Sequence, residues 1–218
     1  MALVKYCAVI FMKKEKKIKT LFLDIGGLLL SVGWGHEFRH QAADKFHLDI
    51  AEMEQRHKLL FVVYEEGRVT LDEYLDRVVF YEKRDFTSGQ FKDFMFSLST
   101  PHPDMIELIK KLKEKYKLKI IVVSNEAREL NEYRIQKFQL NSFVDFFVSS
   151  CYFHVRKPDA TIFKLALNGA QVPADEIVYI DDVQMFVDVA TDLGIKSIRH
   201  TGYPSTSDAL AALGLQTN

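Results

Sequence analysis

Cysteine is nearly missing from this 218-residue chain: Cys7 and Cys151 are the only two, far apart and in no Cys-x-x-Cys spacing. Neither a disulfide framework nor a structural zinc site is expected, and a reducing, cytoplasmic setting is. An excess of charge of one sign is also missing. Lys plus Arg number 29 against 30 Asp plus Glu, a formal net charge of -1, which argues against a nucleic-acid partner. No apolar run approaches the roughly 20 residues that span a bilayer, so no membrane partner is expected. The stretch Leu3 to Phe11 looks faintly like the apolar part of a secretory signal, but its basic cluster, Lys13 to Lys17, follows it and no small-residue cleavage site does. Met12 opens a plausible shorter protein, and 1–17 is taken as an N-terminal extension. The whole chain is 48% hydrophobic, with 17 Phe and 9 Tyr. That composition is ordinary for a globular protein and excludes wholesale disorder, collagen and coiled coil.

Five short, unbroken apolar runs have the pattern of buried parallel strands: Lys19 to Leu23, Leu118 to Val123, Phe143 to Val148, Ile177 to Ile180 and Lys196 to Ile198. Helical patterns separate the later ones, over Asp104 to Tyr116, Ala127 to Phe138, Asp159 to Ala170 and Gln184 to Leu193. This alternation predicts an α/β fold with a parallel sheet covered on both faces. Residues 34–97 break the rhythm, with about four helices and no convincing strand. Thr70-Leu71-Asp72-Glu73 is a capping box expected to open a helix through Phe80, and Asp49 caps a stretch expected to reach Glu66, with Gly67 ending it. The organisation expected is a core of 18–33 and 98–218 carrying a small helical domain of 34–97. Gly33 and Gly35 on one side and Thr100 to Pro103 on the other serve as hinges.

Open α/β sheets bind ligands outside the carboxyl ends of their strands, so the residues that follow each run matter most. They are Asp24-Ile25-Gly26-Gly27, then Ser124-Asn125, then Arg156-Lys157-Pro158-Asp159, then Asp181-Asp182. Taken singly each has a bland reading: Asp24 as a strand-end turn, Ser124 as the N-cap of the next helix, Lys157 as a loop residue, the acidic pair as a solvated turn. Together they put a carboxylate, a hydroxyl, an amine and a carboxylate pair on one rim. Glycines after Asp24 permit close approach of backbone to a phosphate. Adjacent Asp181 and Asp182 repel each other unless a cation joins them, and oxygen ligands suit Mg²⁺. Cys151 and His154 are expected to pack or sit in loops, and the seven histidines show no ligand spacing.

This ordered set resembles the haloacid-dehalogenase-like hydrolase superfamily, in the subgroup with a helical cap inserted after the first strand. The resemblance covers about Lys19 to Leu215. It implies a Rossmann-like core with strand order 3-2-1-4-5, Asp24 as nucleophile, Ser124 as phosphate-binding hydroxyl and Lys157 as the central cation. It further implies that phosphate is bound near Ser124, Asn125 and Lys157. Mg²⁺ would be held by Asp24, the Gly26 carbonyl and Asp182, with Asp181 behind them as partner to Lys157. The activity implied is phosphate-ester hydrolysis of a small phosphorylated metabolite through an aspartyl-phosphate.

Three positions depart from the family pattern. Gly26 replaces the usual second Asp, the general acid, and His36, Glu37, His40 and His154 are the candidates to stand in for it. Phe186 occupies a position that is usually Asp or Asn, and His154 one that is often Gly. Glu126, next to Ser124-Asn125, is expected to favour the start of its helix electrostatically. Two other functions remain open: a metal-independent 2-haloacid dehalogenase, and a degenerate member that only binds a ligand or protein.

Overall fold

A computed structural model describes residues 17–217, so the expected extension lies outside the described residues except for Lys17. In chain order the elements are β1 (Thr20–Leu23), α1 (His36–Phe46), α2 (Ile50–Glu65), α3 (Leu71–Val78), α4 (Ser88–Ser97), α5 (Pro103–Tyr116), β2 (Lys119–Ser124), α6 (Arg128–Lys137), β3 (Phe146–Ser149), α7 (Ser150–Phe153), α8 (Ala160–Ala170), β4 (Ile177–Asp181), α9 (Gln184–Asp192), β5 (Lys196–Arg199) and α10 (Tyr203–Ala212). The strands form one parallel sheet in the order β3-β2-β1-β4-β5.

Alternation along each strand explains the two-sided burial. Leu21, Leu23, Ile120, Val122, Val178 and Ile180 face Leu108, Ile109 and Leu112 of α5 and Leu210 of α10. Phe22, Ile121, Val123 and Tyr179 face Ile162, Phe163 and Ala166 of α8 and Ala190 of α9. A run apolar on both faces can only be stable between two helical layers. No described helix is long and apolar enough to cross a membrane.

Helices α1 to α4 gather around a third cluster that includes Met53, Tyr64, Tyr74, Leu75, Phe91 and Met95, joined by Ala127 and Leu130 from the start of α6. Their ends are set by local chemistry. Asp49 accepts from the amides of Ala51 and Glu52, and Thr70–Glu73 and Thr87–Gln90 form capping boxes. The two connections to the sheet run side by side, with Ser31 N–H donating to Thr100 O at 2.8 Å and His102 N–H to Leu29 O at 2.9 Å.

Several local expectations are corrected. The helix opened by Thr70 stops at Val78, not Phe80. Ser124 does not cap α6: it ends β2, and the N-cap is Ala127. The short helix α7 and the terminal helix α10 had no counterpart in the sequence reading.

Candidate active site

The order of the sheet reverses between β1 and β4, and outside that point the chemistry collects. Asp24 follows β1, its amide donating to Ile180 O of β4 at 3.1 Å. Lys157 reaches between the two strands. Its Nζ lies 3.0 Å from Asp24 Oδ1 and 2.6 Å from Asp181 Oδ2, with the phenol oxygen of Tyr179 at 3.2 Å. All four side chains are buried.

The two neighbouring carboxylates are used differently. Asp181 is fully engaged: Oδ2 takes Lys157 and the Tyr179 hydroxyl, and Oδ1 accepts the Val183 amide at 2.7 Å. Asp182 instead lies against the β1 loop. A Cβ at Gly27 would overlap its carboxylate, and Gly27 also has φ of +78°, so both space and backbone conformation demand glycine there. Gly26, by contrast, is not in the left-handed region, and a Cβ on it would meet neighbours only at 3.5–3.8 Å.

Oxygens of Asp24, Asp181 and Asp182 lie within 4.8 Å of one another, three carboxylates facing one ammonium. Burial pushes the Asp24 carboxyl up to about 7, with Lys157 pulling the other way and Asp181 adding to the rise. Burial, then Asp181, raises Asp182 as well. Burial works against the charge on Lys157, but Asp24 and Asp181 hold its ammonium above the usual lysine range. A small, hard cation relieves this crowding, and a set of carboxylate and carbonyl oxygens is what Mg²⁺ requires. The residues present fit that ion.

Ser124, buried at the end of β2, sets its hydroxyl against the Asp24 carboxylate, and its Oγ makes no well-formed hydrogen bond. Asn125 is committed elsewhere. Its side chain accepts from Lys157 N–H at 2.8 Å and donates to Lys157 O at 3.0 Å, clamping the lysine loop. The Asn125 side chain thus positions Lys157, and its backbone amide stays available for the phosphate contact that the resemblance implies there.

Between this rim and the helical layer lies a cavity of about 440 Å³, bordered by Asp24, Lys157 and Asp182 below and Trp34, Arg39 and Phe61 above. That is the scale of a small-ligand pocket. Of the four candidates to replace the acid, His36 lines the cavity, while Glu37, His40 and His154 do not. His154 Nδ1 instead lies 2.7 Å from Glu66 O at the surface. Cys151 is buried, and burial pushes its thiol up to about 12, so it is inert at neutral pH. Phe186 lies over the Lys157 ammonium, 4.9 Å from ring centre to Nζ, and so walls the cation rather than lengthening the polar shell.

Sequence reasoning undervalued Glu126. Far from merely favouring a helix start, it is 4% exposed, lines the cavity and pairs with fully buried Arg134, which also donates to Ser31 O. Its Oε1 stands 3.8 Å from where a Cβ on Gly26 would be, and its Oε2 has no partner. Glu65 was also missed. Burial, opposed by Arg156 at 2.8 Å, brings its carboxyl to about 7. Arg134 is eight residues from Glu126 and Arg156 is in a different segment from Glu65, so neither pair has the i, i+3 or i, i+4 spacing that announces a helical partnership.

A doubly wound parallel sheet with an acidic, lysine-bridged site at its switch point defines the class: a Rossmann-like α/β protein with its chemistry at the strand ends. The family profile described as a haloacid dehalogenase-like hydrolase matches residues 18–185, and the chain belongs to that family of hydrolases. Among solved structures it is similar to the HAD family enzyme BT-2542 of Bacteroides thetaiotaomicron, with a TM-score of 0.73 and 23% identity, covering 90% of this chain and 98% of that one. The same enzyme in complex with magnesium and inorganic phosphate gives a TM-score of 0.69 at 23% identity, over 84% and 93%. L-2-haloacid dehalogenase of Xanthobacter autotrophicus, with chloropropionic acid covalently bound, gives 0.60 at 16%, over 91% and 84%. These likenesses speak to the fold. Bifunctional epoxide hydrolase 2 of Sus scrofa is 35% identical over 60 residues, a match spanning 28% of this chain and 11% of that protein.

Proposed function

We propose that the protein is a magnesium-dependent phosphohydrolase acting on a small phosphorylated metabolite in the cytoplasm, with Asp24 as nucleophile. The observation that carries this reading is the unequal use of the acidic pair. Asp181 is spent on Lys157, Tyr179 and the Val183 amide, while Asp182 is kept beside Asp24 by the absence of a side chain at Gly27. A site built only for metal-free displacement has no need of that second carboxylate. The magnesium and phosphate complex of a similar fold supports the same reading.

The ion would be held by Asp24, Asp182 and the carbonyl of Gly26, and would supply positive charge to the transferring group. In the first half-reaction an Asp24 oxygen bonds to phosphorus as the ester P–O bond breaks, and the leaving oxygen takes up a proton. In the second, water attacks the aspartyl-phosphate, releasing inorganic phosphate and restoring the carboxylate. Lys157 draws Asp24 toward its ionised form and offsets charge on the phosphoryl oxygens, and the Ser124 hydroxyl, which makes no well-formed hydrogen bond, can donate to one of them. Asp181 and Asn125 act by holding Lys157. The helical segment 34–97 serves as a cap on a core of 18–33 and 98–218, excluding water from the cavity.

Phosphate release from a broad panel of phosphate esters, with and without Mg²⁺, tests the reading. Activity should require the ion and vanish in Asp24→Asn, and Asp182→Asn should weaken Mg²⁺ binding by calorimetry without unfolding the chain. Beryllium fluoride with Mg²⁺ should raise the melting temperature of the native protein. Halide release from 2-haloacids without metal, and no phosphate release, would favour the dehalogenase instead. Neither product would leave a binding module.

A further inference from the structure

The segment His36-Glu37-Phe38-Arg39-His40 has the H-E-x-x-H spacing of metal-binding helices, which the expectation of no ligand spacing among the histidines overlooked. All five residues lie in α1. Residues four apart share a helix face, and the two imidazoles do meet, with ring centroids 4.2 Å apart. Glu54 of α2 comes to them, its Oε1 lying 3.4 Å from His36 Nδ1. Ligand atoms of His36, His40 and Glu54 all lie within 4.8 Å of one another. Glu37, the general base of peptidases with this spacing, is not part of the cluster, so the resemblance to them ends at the two histidines.

We propose that His36, His40 and Glu54 form a second metal site, for a zinc-class transition ion, that joins α1 to α2 at the wall of the cavity. Three features support it. Two imidazoles and a carboxylate are donors that Zn²⁺ prefers and Mg²⁺ does not, which separates this site from the all-oxygen set at Asp24 and Asp182. The carboxylate is already oriented: Arg39, buried beneath it, donates from Nε at 2.9 Å to Oε1 and from Nη2 at 3.0 Å to Oε2. Such outer hydrogen bonds are how proteins fix a metal-binding carboxylate. Both histidines are exposed, so the ion has a path from solvent. Three protein ligands leave a coordination position for water or for a group on a substrate. Because His36 also lines the cavity, the ion becomes part of the surface that a substrate meets.

The test uses the full chain, stripped with a chelator, desalted and titrated calorimetrically with Zn²⁺ in the presence of millimolar-range Mg²⁺. One Zn²⁺ per chain should bind. His40→Ala should weaken it at least about tenfold, since even outer-shell losses cost that much, while Asp182→Asn should leave it unchanged. Zn²⁺ should raise the melting temperature of the native protein and not of His40→Ala. His36→Gln is the second variant, should His40→Ala lose its native circular dichroism. No binding, binding untouched by either histidine substitution, or binding abolished by Asp182→Asn would each overturn the proposal. These outcomes are independent of whether phosphate esters are hydrolysed.

Discussion

Gly26 has room for a side chain, and that has a chemical consequence. Its Cβ would make ordinary contacts and its backbone is unstrained, so Gly26→Asp should fold. The new carboxyl would stand beside Glu126, where like charges favour holding a proton. Under the proposed phosphohydrolase reading, a plot of rate against leaving-group pKa should become shallower, with alkyl esters gaining about tenfold or more. An unchanged slope in the folded variant would mean that protonation is already supplied. A second residue-scale expectation concerns His57. Its Nδ1 lies 2.7 Å from the Tyr74 hydroxyl, which also accepts from Trp34 Nε1 at 2.9 Å. Burial, then Arg39, lowers its pKa from 6.5 to about 4. The folded state thus refuses a proton that the unfolded chain accepts at 6.5. The stabilisation is present above 6.5 and lost as pH falls to about 4, at most about 3 kcal/mol. Asp24 and Glu65, both raised to about 7, act oppositely over that window, losing their contribution as pH rises. Urea unfolding of the native chain and of His57→Gln at several pH values isolates the histidine as the difference; a constant difference would sink the idea. Asp24 and Asp181 were legible because each stands at the end of a strand and carries unusual chemistry for its place, and Lys157 because its loop follows the third strand. Glu126 and Glu54 were not, since their meaning depends on Arg134 eight residues on and on a different helix.

Caps decide where the helices of the layer over the sheet begin, and one of them does more. The Thr70–Glu73 box satisfies the first turn of α3, while Glu129 of α6 accepts the Leu71 amide at 2.9 Å. Thr70→Ala should cost about 1 kcal/mol in denaturant unfolding. Glu129→Ala should cost a similar amount, although residue 129 lies in another helix; no loss there would show that water replaces it. The strands and the four main core helices were legible because their apolar periods are strong, with Asp159 opening α8 and Gly194 following α9. Two helices were not. α7 has four residues, too few for any period, and α10 opens with Gly202 and Pro204, which read as a turn, and buries only Thr206 and Leu210.

Across the whole molecule, the helical layer also touches the core beyond the paired connections at Ser31 and Thr100. Ser150 Oγ donates to Glu65 O at 2.6 Å and accepts the Glu126 amide at 3.0 Å, and Arg156 Nε donates to Glu65 at 3.0 Å. At the centre of this contact Gly67, with φ of +65°, lies so close to Cys151 that a Cβ would overlap its carbonyl oxygen. Under the cap reading proposed above, this contact works together with the Leu71–Glu129 hydrogen bond and the packing of Ala127 and Leu130 among the cap helices to fasten the cover along the α6 side. Gly67→Ala would pry this fastening apart and loosen the cover over the cavity, easing traffic in and out. If the cavity is where catalysis occurs, KM should then rise more than kcat falls, and product should dwell for less time. Equal loss in both would mean that the fastening shapes the chemistry rather than the traffic.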